Sequence, residues 1–282
     1  MKAKHCCSVQ LTGILFVISF FVIANSAYSN ITVSPVSVYL TNAARSGELL
    51  VRNTTSGPLL VKLELKFGYP SSDSTGTVSI AFFPDSSNDS RSCASWLYLY
   101  PRRFILYPGQ SRTIRVIARP APNLPDGEYW ARLIVASEKT SAIDSLSKSR
   151  SSVAALDFNF NIVIPIFYRK GKIDPDVSLL RATYAVDGKK LFFYVDTQPT
   201  SNAAYIGNIT CQLLNTSGVV LKEKKQEVAI YVPIRRRFEF DRSEIPAGTY
   251  KLRIIYDTER PEERGGAIYA SPRTYLKDFV IR

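Results

Sequence analysis

An all-β chain carrying two sandwiches in tandem is predicted, and three observations predict it. From Asn30 onward the sequence breaks into short apolar-alternating segments separated by turn signals, and no helical period is sustained. The pattern restarts after Arg169-Lys170-Gly171-Lys172-Ile173-Asp174-Pro175, which marks a boundary between two units. A chain of 282 residues has room for two cores of ordinary size.

In the first unit, residues 30–172, the spacing predicts strands over Val33 to Leu40, Glu48 to Asn53, Leu59 to Phe67, Arg102 to Leu106, Ser111 to Ala118 and Glu128 to Ala136. Asn42 to Gly47, Thr54 to Pro58, Tyr107-Pro108-Gly109 and Leu124-Pro125-Asp126-Gly127 separate them as turns. Ser71 to Ser95 and Ser137 to Ser152 are polar and Ser-rich, and are expected as surface loops, the second a mobile one. With one more strand ending near Arg169 the count reaches about seven, that of an immunoglobulin-like sandwich.

The second unit, residues 173–282, is expected to form strands over Leu179 to Val186, Lys190 to Thr197, Gly207 to Leu214, Val219 to Lys225, Glu227 to Val232, Arg236 to Asp241, Gly248 to Tyr256 and Thr274 to Ile281. Asp187-Gly188 is a hairpin signal between the first two.

Residues 1–29 read as a cleaved signal peptide. Lys2 and Lys4 precede an apolar run from Leu11 to Ala24, and Ala27-Tyr28-Ser29 is a small-x-small site, with Ser26 the alternative cleavage point. The run is shorter than the roughly 20 residues of a membrane span, and no later segment is apolar enough to be one. The expectation is an exported chain with no integral membrane segment once matured.

Losing the leader removes Lys2, Lys4 and His5, so the formal charge falls from +12 to about +10 and no histidine is left. That excludes a Ser-His-Asp triad, a Cys-His pair and a histidine zinc site within the mature chain. Asp126 with Glu128, and Glu259 with Glu262 and Glu263, are not framed as a hydrolytic carboxylate pair. No phosphate or calcium loop appears. An enzyme, a cofactor and a metal are therefore not expected.

The basic clusters Arg102-Arg103, Lys224-Lys225 and Arg235-Arg236-Arg237 read as solvated sheet surface rather than a nucleic-acid site, because strand alternation sends neighbouring arginines to opposite sides. Cys93 and Cys211 either pair in an oxidising compartment or remain two buried thiols. Trp96 and Trp130 are expected in the core. Asn30, Asn53, Asn88, Asn208 and Asn215 begin glycosylation sequons, which matter only in a eukaryotic source.

One segment stands apart. Leu156, Phe158, Phe160, Ile162, Ile164 and Ile166 alternate with mostly polar residues, placing one apolar stripe along an extended strand. The stripe suits either a sandwich core or a surface offered to a partner. Pro165 cannot donate a ladder hydrogen bond and argues for an edge or a bulge near that end. Arg169 beyond it either holds the two units together through a carboxylate or is a solvated arginine.

Several segments of the first unit resemble the periplasmic pilus-assembly chaperones. They are Ser34-Pro35-Val36-Ser37-Val38-Tyr39-Leu40, the strand from Gly47 ending in Val51-Arg52-Asn53, and the run Tyr100-Pro101 to Val116 with its Pro108-Gly109 and Ile114-Arg115. Leu124-Pro125-Asp126-Gly127-Glu128 is similar to the family's Leu-Pro-x-x-Glu turn, and Phe167-Tyr168-Arg169 to its terminal Phe-Tyr-Arg. The resemblance covers about half the chain.

It implies two immunoglobulin-like domains, a periplasmic location, a fimbrial or pilus subunit as client and an outer-membrane usher as further partner. The client would be bound by strand addition without ATP. The docking strand falls on Leu156, Phe158, Phe160, Ile162 and Ile164, the first four donating side chains to the client. Their burial is worth several kcal/mol at about 25 cal/mol per Å².

Two departures accompany the resemblance. Ser37 and Pro165 occupy the positions where the family uses an arginine and a lysine to hold the client's terminal carboxylate, and Lys170 replaces a proline after Phe-Tyr-Arg. The alternative function is a structural or adhesive two-sandwich protein of the envelope that shares only the architecture.

Overall fold

The computed structural model describes residues 30–84, 90–139, 160–259, 266 and 268–281. The leader, residues 1–29, and two members of the stripe, Leu156 and Phe158, lie outside them, as does most of the expected loop Ser137 to Ser152.

The first ten strands are β1 (Ile31–Ser34), β2 (Val38–Thr41), β3 (Ser46–Asn53), β4 (Leu59–Ser72), β5 (Val78–Phe83), β6 (Leu97–Tyr100), β7 (Arg103–Leu106), β8 (Ser111–Ala118), β9 (Gly127–Lys139) and β10 (Phe160–Lys170). One sheet runs β1-β3-β8-β6; the other runs β2-β10-β9-β4-β5, with β7 also on β4. That is the ABED and GFC order of an immunoglobulin-like sandwich, with β2 and β5 added at the edges of the second sheet. Leu49, Val51, Ile114 and Val116 from one sheet and Leu59, Val61, Leu133 and Val135 from the other fill the space between them.

The remaining strands are β11 (Val177–Asp187), β12 (Lys190–Pro199), β13 (Tyr205–Leu214), β14 (Val220–Ile230), β15 (Ile234–Asp241), β16 (Gly248–Asp257) and β17 (Arg273–Ile281). They form a three-stranded sheet, β11-β12-β15, and a four-stranded sheet, β14-β13-β16-β17. A second core lies around Phe193, Phe238, Ile209, Leu252 and Ile254. The protein is therefore all-β, with two immunoglobulin-like sandwiches, as the strand spacing predicts. Asp187-Gly188 turns the β11-β12 hairpin, with Gly188 at φ +55°, a conformation that favours glycine.

Several expected elements change. Val33 to Leu40 is two strands, not one: β1 pairs with β3 in one sheet while β2 pairs with β10 in the other. The crossing falls at Pro35 and exposed Val36, where a proline takes no part as a ladder donor. Ser71 to Ser95 is not all loop. Val78 to Phe83 returns along the end of β4, from Ser72↔Val78 to Phe67↔Phe83. The polar Asp73 to Thr77 turn masks a short strand whose apolar residues divide between the two units: Phe83 packs on the first core and Val78 on the second. The two strands expected within Val219 to Val232 are one, β14 (Val220–Ile230), because nothing at Lys225-Gln226 interrupts the pairing with β13.

Cys93 and Cys211 are both buried free thiols, one in each core. Trp130 is buried in the first core and Trp96 packs on it. Two of the sequon asparagines are structural. Asn53 donates from Nδ2 to Gly57 O (2.8 Å) and Leu106 O (3.0 Å), and Asn208 to Asp257 Oδ1 (2.7 Å).

Candidate functional site

Strand β10 runs antiparallel to β9 over its whole length, from Phe160↔Ser137 to Lys170↔Gly127. Its other edge is covered only in part. Strand β2 lies parallel to it from Ile166↔Val38 to Arg169↔Thr41 and no further. Among the described residues no strand pairs with Phe160 to Pro165 on that side, so roughly 20 Å of sheet edge stands open at about 3.3 Å per residue.

Proline fits this arrangement. In an antiparallel ladder a residue's N–H and C=O point to the same side. Pro165, opposite Arg132, costs the ladder nothing when that side faces away from β9. Asn161 and Val163 share its orientation by the period of two, so their N–H groups face the open edge.

Alternation sets the side chains. Ile164 (3% exposed), Ile166 (0%) and Tyr168 enter the first core, while Ile162 packs against it half-buried. Ile164, expected in the docking strand but not among its donated side chains, has its side chain in this sandwich's own core.

The opposite face of β10 meets the second unit. Phe167 stacks on Tyr39 of β2 at 5.1 Å with an interplanar angle of 8°, and on Tyr231 at 6.3 Å and 11°. Tyr231 follows β14 in sequence, yet it is buried (6% exposed) in the first core. Two guanidiniums close the ends of this three-ring stack. Arg169 lies 4.5 Å from the Tyr39 centroid and Arg132 5.0 Å from that of Tyr231. Burial pushes the Tyr231 hydroxyl up to about 12, against the pull of Arg132.

Arg169 does more than cap a ring. Its Nε donates to Glu128 Oε1 at 2.7 Å, and Nη1 donates to Gly266 O at 2.7 Å. Glu128 is 1% exposed; its Oε2 accepts from Ala204 N (3.2 Å) and its own N–H donates to Asn202 O (2.9 Å). One carboxylate thus joins β9 and β10 to the segment entering β13. Burial outweighs the attraction of Arg169 and raises the Glu128 carboxyl above its usual range. Gly127 beside it has φ +151°, and a Cβ there would stand 3.0 Å from Asn202 O, so only glycine lets the two units approach this closely.

A second contact between the units is the β4-β5 hairpin tip. Ser72 Oγ accepts from Arg235 N at 2.7 Å and Ser74 O from Arg235 Nη1 at 3.0 Å. Asp196 orients that arginine, accepting from its Nε (2.6 Å) and Nη2 (2.8 Å) and also from Arg181. The arginine triplet is therefore not plain solvated surface. Arg235 reaches across the junction, Arg236 binds Gln226, and Arg237 lies over Phe192.

Between these contacts a cavity of about 170 Å³ opens beside Val163 and Pro165. Ser37, at one of the two uncharged positions noted in the sequence, lines it together with Arg132. Glu128 stands in the Leu124-Pro125-Asp126-Gly127-Glu128 turn already marked in the sequence, whereas Arg132 belongs to no motif. The signal for Arg132 was local: it is the single charge in the apolar run Tyr129 to Ala136.

Among the described residues no group of three or more His, Cys, Asp or Glu is placed to hold a metal, and no helix is long and apolar enough to cross a membrane. What fold and site define is a tandem immunoglobulin-like protein with an open sheet edge at the junction of its units. No family model and no curated protein sequence matches the chain. Solved structures do resemble it. The class 5 fimbriae chaperone CfaA matches 88% of this chain and 99% of its own at 18% identity and a TM-score of 0.42. The YadV chaperone matches 88% and 100% at 14% identity and 0.48. The CupB2 chaperone of Pseudomonas aeruginosa matches 87% and 98% at 14% identity and 0.43.

Proposed function

We propose that this protein is a periplasmic chaperone for fimbrial or pilus subunits, which it holds by strand addition without ATP. The observation that carries the reading is the edge of β10 from Phe160 to Pro165, which no strand among the described residues covers once the pairing with β2 ends at Ile166↔Val38. An added strand gains main-chain hydrogen bonds there, and alternate side chains supply selectivity. Leu156, Phe158, Phe160 and Ile162 are the apolar side chains that would fill an unfinished client core, and the sequence resemblance of the first unit to the pilus chaperones supports that choice. Signal-directed export to the periplasm belongs to the same reading, as does an outer-membrane usher as the receiving partner. The two units are taken as domains of residues 30–172 and 173–282, held at a fixed angle by Arg169 and Glu128.

The test is copurification of a small β-sandwich subunit from envelope extract. The native chain is expected to retain the subunit and Phe160→Arg to lose it with the fold intact. If nothing copurifies with the native chain, or the substitution changes nothing, the reading fails and the structural or adhesive alternative takes its place.

A further inference from the structure

We propose that the free edge of β15 is a self-complementary surface on which a second copy of this chain pairs, and that the β4-β5 hairpin tip holds it shut. Among the described residues β15 pairs with β12 alone, so its other side ends the three-stranded sheet. Two hydrogen bonds fix the backbone orientation there. Arg235 N donates to Ser72 Oγ at 2.7 Å and Arg237 O accepts from Gln226 Nε2 at 2.8 Å. In an antiparallel ladder a residue's N–H and C=O share a side, so Arg235, Arg237, Glu239 and Asp241 all turn theirs away from β12.

The edge is capped at Arg235 and Arg237. The hairpin tip is a tight turn in which Asp73 Oδ1 accepts from Thr75 N at 2.8 Å and Thr77 N at 3.0 Å. It brings Ser72 to Arg235, and it brings Gly76 so near the strand that a Cβ would stand 2.9 Å from Arg237 N. Gln226 of β14 completes the cover, held by Arg236 Nη2 donating to its Oε1 at 2.8 Å. The hairpin belongs to the first unit and β15 to the second. Withdrawal of the tip would therefore return an unpaired edge to water, which is a template for another strand.

Charge identifies that strand. Ile234, Phe238 and Phe240 enter the second core, so the alternate residues Arg235, Arg237, Glu239 and Asp241 share the outer face. The row reads two cations and then two anions. Two copies paired antiparallel about a twofold axis at Phe238 set Arg237 opposite Glu239 and Arg235 opposite Asp241, each pair made twice by the symmetry. The contact spans roughly 23 Å at about 3.3 Å per residue.

These are also the residues whose backbone groups face outward, so the same register satisfies hydrogen bonds and charges together. A slip of two residues in either direction sets Arg237 or Glu239 against its own copy, and like charges directly opposite are unfavourable. Charged edges ordinarily repel strand addition. This one repels chains that lack the reciprocal row and admits its own copy.

The experiment is sedimentation velocity of the purified full chain over a concentration series. The native chain should show no association that responds to Arg237→Glu. Ser72→Ala with Gly76→Leu removes the bond to Arg235 N and pushes the tip off β15, and this uncapped chain should dimerise as concentration rises. Within it Arg237→Glu should weaken the dimer about tenfold. Adding Glu239→Arg should restore it, because the exchanged row is again self-complementary. Phe160→Arg should leave it unchanged, which separates this edge from that of β10. Ser72→Ala alone should show the same association at higher concentration, so the result does not depend on the double variant folding. Hydrogen exchange reads the cap directly: the Arg235 amide should be protected in the native chain and exchange faster in Ser72→Ala. Uncapped chains that stay monomeric, a native dimer broken by Arg237→Glu, or an Arg235 amide that exchanges freely in the native chain would overturn the cap. A dimer indifferent to Arg237→Glu, or not restored by the exchange of charges, would overturn the self-complementary pairing.

Discussion

Arg169 Nε meets Glu128 Oε1 at 2.7 Å on paired strands of one sandwich, while Arg169 Nη1 donates to Gly266 O and Glu128 Oε2 accepts from Ala204 N of the second sandwich. The pair is nearly dry, with Glu128 buried and Arg169 only slightly exposed. Removing one partner leaves the other as an uncompensated charge, which costs about 3 to 5 kcal/mol. Glu128→Ala is therefore expected to lower the free energy of urea unfolding by about 3 kcal/mol. A change within the scatter of surface substitutions would show that the junction does not depend on it.

The same carboxyl carries a pH signature. Burial raises its pKa above the ordinary 4.5, so just above that pH the folded chain keeps a proton that the unfolded chain has released. Stability contributed by this group falls as pH rises through that window and is constant beyond the raised folded value. Glu128→Gln should flatten the fall. Urea midpoints measured through the window check it, and an unchanged slope would contradict the assignment.

Asp196 has the opposite sign. Hydrogen bonds from Arg235, then from Arg181, hold its carboxyl below the ordinary 3.8. Its stabilisation is present above 3.8 and is lost as pH falls through the depressed folded value. Because Arg235 also holds Ser72 and Ser74 of the hairpin tip, Asp196→Asn should loosen that contact and reduce stability at neutral pH. It should also make the loss of stability on acidification shallower. Acid titration followed by tyrosine fluorescence reads both.

Cys93 and Cys211 are silent thiols in this account. Burial raises both pKa values, and each lies in a different core. Neither should react with an aromatic disulfide reagent in the native chain, and both should react in urea. Rapid labelling of either without denaturant would contradict their placement.

Much of the fold was legible because sandwich strands alternate strictly where one face is buried and the other wet, as in Leu59 to Leu65 and Gly248 to Tyr256. Legibility failed where that contrast failed. The residues of β5 divide between the two cores, so Val78 to Phe83 has no simple inward face. The split of β1 from β2 depends on sheet pairing, which no local pattern records.

The site was legible as a strand but not as an environment. The stripe through Ile162, Ile164 and Ile166 is a real alternation, yet Ile164 serves the chain's own core. What distinguishes the segment is the length of β2, four residues against a much longer β10, and that emerges only from pairing. Glu128 and Arg132 were invisible as a pair of buried charges because burial is a tertiary property. The lone arginine in Tyr129 to Ala136 was the only local hint.

The open edge is tested most directly by hydrogen exchange at the amides of Asn161 and Val163, compared between the free chain and the chain with its copurified subunit. Strand addition predicts that both exchange readily when free, and become protected on binding while the already paired amides of β10 change little. Protection of Asn161 and Val163 in the free chain, or exchange unaffected by the bound subunit, would contradict it.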